Sequence, residues 1–367
     1  MTGHQIRRSL TSALIACAVS ACSTIGAPTV PRDRLDYGFV IGESWKQQTL
    51  LNIVKLRYGD MPVFLDIAQI VAGYQLESTV GAGFAASNAL GSVTGPTVLG
   101  GTLTAQGKYT DRPTVVYAPL TGTDFLKKLM TPIPPSAVLS TLQSGYPAQL
   151  VLPIVVNSVN GVSNENRRAD TNRRADPKFV RLVQLLREMQ LADALQIRVE
   201  RQQQKGTEEA TIITFPPTAN PQLVANSREI ATILHLNPAL REFHVFFGGD
   251  SGKDNEISMN TRSLLQVLLE LATIVQVPAS DVATGMAAPG LVADQSSETQ
   301  DRPFLIINSG DAAPSNAFVA VQYNGHWFWI PGTDIRSKLA LDFVMLLFSI
   351  SDTGPKTAAP VLTVPTN

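Results

Sequence analysis

Two stretches of alternation, residues 74–84 and 99–109, constrain this chain more than any other feature. On the first arm the even positions read Tyr74, Leu76, Ser78, Val80, Ala82 and Phe84, against Gln75, Glu77, Thr79, Gly81, Gly83 and Ala85. On the return arm Leu99, Leu103, Ala105 and Tyr109 share one parity, opposite Thr102, Thr104, Gln106 and Lys108. Period two on both arms, broken near Gly95-Pro96, predicts a long hairpin with one apolar face and one polar or small face. Each arm runs about 11 residues, close to the ~9–11 that a tilted strand needs to cross a bilayer. Tyr74 and Tyr109 mark its base, as interfacial aromatics would. A lone hairpin has edges that lipid does not tolerate, so a membrane version requires copies closing a barrel. A version in water packs its apolar face on a helix such as 43–58, or docks on a partner. The alternation fits both.

The 367 residues are 44% hydrophobic and 16% charged, enough apolar material for well-buried domains, and the length suits two of them. A net charge of -1 gives no concentrated basic surface, which removes the main argument for a nucleic-acid partner. Both cysteines, Cys17 and Cys22, lie in the first segment, so the body has no disulfide, Cys-ligated metal or Cys nucleophile.

That first segment has the layout of an export signal: Arg7 and Arg8, a mostly apolar run over 10–19, then small residues. Its end, Val19-Ser20-Ala21-Cys22, resembles the lipobox of bacterial lipoproteins. Leu14-Ile15-Ala16-Cys17 also fits, but would leave an apolar core shorter than the ~7–15 residues usual for a signal, which favours Cys22. The resemblance implies cleavage before Cys22 and acylation of that cysteine, including palmitate. With Ser23 rather than Asp next, it implies attachment to outer-membrane lipid, the body facing the periplasm. The uncharged hairpin is similar, in pattern alone, to the pore-building segments of some oligomeric outer-membrane lipoproteins.

The organisation expected is a signal peptide over 1–21, a lipidated cysteine and tether over 22–33, and an N-terminal domain over 34–165 carrying the hairpin. A charged loop over 166–176, the tandem "NRRADTNRRAD", divides it from a C-terminal domain over 177–353, and an extended tail covers 354–367. Helical spacing appears at 43–58, 124–130, 136–143, 179–191, 227–236, 263–275 and 337–350. Strands are expected at 149–159, with Pro153 at an edge or bulge, and at 195–200, 210–215, 242–247, 304–308, 318–323 and 326–330. Asn324-Gly325 between the last two is the strongest hairpin signal. The fold class is α+β: mixed layers of mainly antiparallel hairpins with packed helices, in two halves.

Catalytic constellations fail one by one. "GGDSGKD" at 248–254 resembles the serine motif of trypsin-like proteases, yet Lys253 replaces a glycine and no histidine lies well upstream in the mature chain. As a phosphate loop it lacks the first glycine and the magnesium-binding hydroxyl, so it reads as a polar turn. Asp250, Asp254 and Glu256 lack the spacing of a calcium loop. His235, His244 and His326 form no zinc-binding pair, and His235 is expected as a hydrogen-bonded core residue on a helix. Trp327 and Trp329 in "HWFWI" share one strand face: either a stacking surface or one side of a covered central strand. No enzymatic activity, cofactor or metal is expected. The function expected is a structural or assembly component of a cell-envelope complex, with an envelope protein or further copies as partner. The alternatives are an oligomeric pore or export channel built from the 74–109 hairpin, and an envelope hydrolase with an unrecognised site.

Overall fold

The computed structural model describes residues 30–71, 73–88, 97–168, 171–201, 209–288 and 304–351. Two units emerge, one built from Leu65–Pro119 with the start of the first helix, the other from Val40–Phe64 and Leu120–Thr357.

The first helix, α1 (Val30–Arg57), begins before the expected 43–58, so the end of the expected tether is helical. Pro31 suits the opening of a helix, where its missing N–H costs nothing. In its first turns Leu35 and Phe39, four residues apart and therefore on one face, are exposed.

The smaller unit is a ribbon. β1 (Phe64–Val71) pairs with β4 (Thr114–Leu120), and β2 (Tyr74–Asn88) pairs antiparallel with β3 (Thr97–Asp111). Between the two pairs the Arg112 N–H donates to the Gly73 carbonyl at 2.9 Å. A Cβ on Gly73 would stand 3.0 Å from that Arg112 carbonyl oxygen, so glycine suits the close crossing.

The larger unit is an α+β body. Its sheet has the order β6-β5-β12-β11-β10-β9, formed by β5 (Val156–Val159), β6 (Val162–Ser163), β9 (Gln196–Arg201), β10 (Glu209–Thr214), β11 (Glu242–Phe246) and β12 (Glu256–Thr261). All neighbours are antiparallel except β11 and β12. Residues 247–255 carry the chain back for that parallel pair, so the "GGDSGKD" turn is a short crossover in which Gly248 and Gly252 take positive φ. Strand β12 shows no clean alternation, being buried at 257–259 and 261, and is a strand that periodicity misses.

Helices α2 (Thr123–Met130), α3 (Pro135–Gln143), α4 (Ala148–Val155), α5 (Pro177–Leu191), α6 (Pro221–Ile233) and α7 (Leu264–Thr273) complete this part of the body. Leu139, Leu152, Phe179 and Ile230 from four helices meet Ile213 and Met259 from the sheet around a cavity of about 30 Å³. Ser263 closes a capping box with Gln266 at the start of α7, whose Leu268 and Leu271 are fully buried. The short α8 (Ala279–Ala283) precedes a second sheet, β13-β15-β14, from β13 (Asn308–Gly310), β14 (Ala317–Tyr323) and β15 (His326–Pro331), and α9 (Ile335–Ser351) follows. Asn324 and Gly325, at φ 46 and 83, form the hairpin turn their sequence predicts.

The structure differs from expectation at four further places. Residues 148–155 are a helix and only 156–159 a strand, because a short run apolar on every face suits a buried helix as well as a strand. Pro153 sits inside that helix, and the carbonyls it and Ile154 expose bind Arg262 Nη1 at 2.7 and 3.0 Å. Arg262, 2% exposed, also reaches Asn157 Oδ1 and the Glu165 carbonyl, so a charge from β12's end caps α4. The 166–176 segment forms a small hairpin, β7 (Asn166–Arg168) with β8 (Thr171–Arg173), inside the body: strands from both sides of it share the six-stranded sheet, so the chain divides elsewhere. In place of a strand over 304–308, the strand begins at Asn308, and the preceding Ile306 N–H bonds the Ser337 hydroxyl. His235 is exposed at φ 55, just past α6, where Leu236 N–H bonds the Ala231 carbonyl; it terminates the helix instead of packing inside it.

Candidate functional site

Cys17 and Cys22 lie outside the described residues. The other predicted positions fall on the ribbon and on β15.

In the ribbon the register is continuous from Tyr74↔Asp111 to Asn88↔Thr97, so each arm holds 15 paired residues, longer than the 11 read from alternation. Directly paired residues share a face of a sheet. Leu76 pairs with Tyr109, Val80 with Ala105, Ala82 with Leu103, Phe84 with Gly101 and Ala86 with Leu99. The two apolar rows, each legible alone, are therefore brought onto one face. Tyr74 pairs with Asp111, so the two tyrosines of the base are not opposite one another. On the other face Glu77 pairs with Lys108 and Thr79 with Gln106; these four and Thr104 are exposed. Among the described residues neither β2 nor β3 has a second neighbour. The shorter pair β1 and β4 also leaves Leu65, Val116 and Tyr117 exposed.

Before the chain enters the ribbon it is held to the body by buried polar contacts. Asn52, 1% exposed, donates to the Val63 carbonyl at 2.8 Å and accepts from its N–H at 2.9 Å. The Phe64 ring lies 4.8 Å from Phe348 and 5.8 Å from Phe125. Tyr58 packs edge-on to Tyr323 and Phe328, and its hydroxyl donates to Asp281 Oδ2 at 2.6 Å. Burial, and after it the Asp281 carboxylate, holds the Tyr58 phenol above its ordinary range, so it stays a donor. The Tyr323 hydroxyl bonds Asp60. Arg57, in the last turn of α1, buries Nε and Nη2 without a hydrogen-bond partner, and that burial lowers its pKa against the opposing effect of Tyr58. The carbonyl end of the helix supplies negative potential there.

The same cluster contains His326, whose Nε2 stands 3.6 Å from Asp281 Oδ1 and whose Nδ1 is 3.9 Å from Asp311. The Ser280 hydroxyl donates to Asp281 at 3.2 Å, not to the imidazole, so the order differs from a nucleophile-base-acid relay. The geometry joins α1, α8 and the β14-β15 hairpin. No short motif announces it, since Tyr58 and Asp281 are 223 positions apart.

Trp327 and Trp329 stand in the central strand of the second sheet. Phe328 and Ile330 on the opposite face are fully buried, whereas the two tryptophans are half-buried. A Cβ on Gly310 would come within 3.2 Å of the Trp329 ring, so glycine lets the indole lie against β13. The surface is thus neither an open platform nor fully covered. Asp250, Asp254 and Glu256 each have separate partners, the Gly252 N–H, Asn237 and Lys253, and among the described residues no group of three metal-binding side chains gathers. A cleft of about 270 Å³ opens between the 215–218 segment, α6 and residues 238–241, with Arg228 and Arg241 at its exposed rim. Among the described residues no helix is long and apolar enough to cross a membrane.

Compared with models of protein families, with curated proteins and with solved structures, the chain matches none.

Proposed function

We propose that this protein is a lipid-anchored, non-catalytic assembly component of a bacterial outer envelope, its body facing the periplasm and its long ribbon serving as the element through which it assembles. The observation that carries the reading is the ribbon: 15-residue arms, register-matched apolar rows and edges with no further strand among the described residues. Such edges are templates for pairing with another chain. The anchor rests on the lipobox-like Val19-Ser20-Ala21-Cys22. The exposed pair Leu35 and Phe39 adds support, because Leu35, in the first turns of α1, is only about a dozen residues beyond Cys22, within ~45 Å of a membrane surface even along an extended chain.

The test is metabolic labelling with palmitate, followed by envelope fractionation. Cys22→Ser is expected to abolish the label and release the protein from outer membranes, while Cys17→Ser leaves both unchanged. Label that survives Cys22→Ser, or cell-wall turnover by the purified protein, would overturn the reading.

A further inference from the structure

Among the described residues β2 and β3 pair with no further strand, and the two outer edges of the ribbon are complementary. β2 and β3 are antiparallel and equally long, so the outer edge of β3 in one copy and that of β2 in a second copy run antiparallel when the copies stand side by side. Repeating that one contact head to tail gives a ring if the rotation closes, with an even number of strands and no edge left. A free ribbon gains little in water, since an isolated two-stranded hairpin is marginal. In lipid each unpaired backbone group costs several kcal/mol, so closure is there compulsory.

The dimensions select the surroundings. From Leu76 to Ala86, paired with Tyr109 to Leu99, about ten residue steps of ~3.3 Å cover ~33 Å; tilted ~40°, they rise ~25 Å, the height of the apolar band of a membrane barrel. Over this span the row carrying Leu76, Val80, Phe84, Leu99, Leu103 and Tyr109 holds no charge. The opposite row begins with the exposed Glu77–Lys108 pair and continues through Thr79, Gln106 and Thr104, which suits water. Chance alternation on two separate arms would put both apolar rows on one face in only about half of registers, and would not supply the matching length.

We propose that the β2-β3 arms of several copies of this chain close into one antiparallel β-barrel across a bilayer, the apolar row meeting acyl chains and the polar row lining a water-filled lumen. This rests on the envelope reading above and names the assembly partner as the chain itself.

The experiment uses the full chain in outer membranes. Single cysteines at 76–86 are labelled with a water-soluble maleimide, and the detergent-extracted protein is weighed by light scattering and added to planar bilayers. The expected result is an oligomeric mass, stepwise conductance and period-two labelling, with Thr79→Cys reacting at least about tenfold faster than Val80→Cys. Val80→Asp should lose oligomer and conductance while Thr79→Asp keeps both. Replacing Ser78 to Gly107 by Asn-Gly should abolish all three signals and leave palmitate labelling and membrane attachment intact. A monomer, a soluble oligomer without conductance, or equal labelling of both rows would overturn the barrel. Those outcomes leave the anchored assembly component standing, whereas loss of palmitate labelling from the unaltered chain removes the envelope reading itself.

Discussion

The ribbon and the body obey the same hydrophobic pattern and finish differently. In the body, β11 alternates buried Phe243 and Val245 with exposed neighbours, and helices complete the layer against which those side chains pack. In the ribbon the alternation runs about 11 residues per arm, yet β2 and β3, paired over 15 residues each, find only each other among the described residues. Amphipathicity therefore specifies that a face must be covered, not by what. A face covered within the chain is core, and one covered from outside is an interface.

That contrast can be broken most severely at Arg262. Arg262→Leu strands the carbonyls of Ile154 and Glu165, leaves that of Pro153 to the Asn164 amide alone, and takes from Glu270 its buried cation, so a loss of about 3–5 kcal/mol is expected, read as a fall in the urea midpoint of the body. A variant within about 1 kcal/mol of the parent would show that α4 needs no such cap.

A smaller effect is expected at Tyr58. Its phenol titrates higher folded than unfolded, so it contributes stability below the unfolded value near 10 and loses that contribution as pH rises beyond it. Tyr58→Phe should lower stability by about 1 kcal/mol at neutral pH, through the lost bond to Asp281, and flatten the decline of the urea midpoint above about pH 10. An unchanged alkaline slope would separate Tyr58 from that decline.

The smallest effect on the body should come from the largest deletion. Replacing Ser78 to Gly107 by Asn-Gly removes most of both arms beyond the Glu77↔Lys108 pair, and the body's urea midpoint should move by no more than about 0.5 kcal/mol equivalent. A large loss would mean that the body's stability depends on the ribbon.

Much of the site was legible because its signal is local. The alternation over 74–84 and 99–109 anticipated both long strands and, through parity alone, the row each residue joins. The Asn324-Gly325 turn and the helices expected over 263–275 and 179–191 were equally readable, since turn chemistry and helical periodicity act within a few residues. The root of the ribbon was not. Asn52 with Val63 is a polar clamp that no periodicity marks, and Tyr58 with Asp281 joins distant segments.

The sequence by itself determined that the chain is α+β, that its middle carries a long two-faced hairpin, and that helices over 263–275 and 337–350 are buried. Tertiary structure decided where the chain divides: β5 and β6 join β9 to β12 across the charged 166–176 segment, because strands from either side complete one sheet. It also decided that the run over 148–155 is helical, since Arg262, arriving from β12, takes the Pro153 and Ile154 carbonyls that the end of the helix leaves without intrahelical donors. The physical reason is common to both: period and propensity act over a few residues, whereas the partner of a sheet edge or an orphaned carbonyl is chosen by whatever the rest of the chain brings beside it.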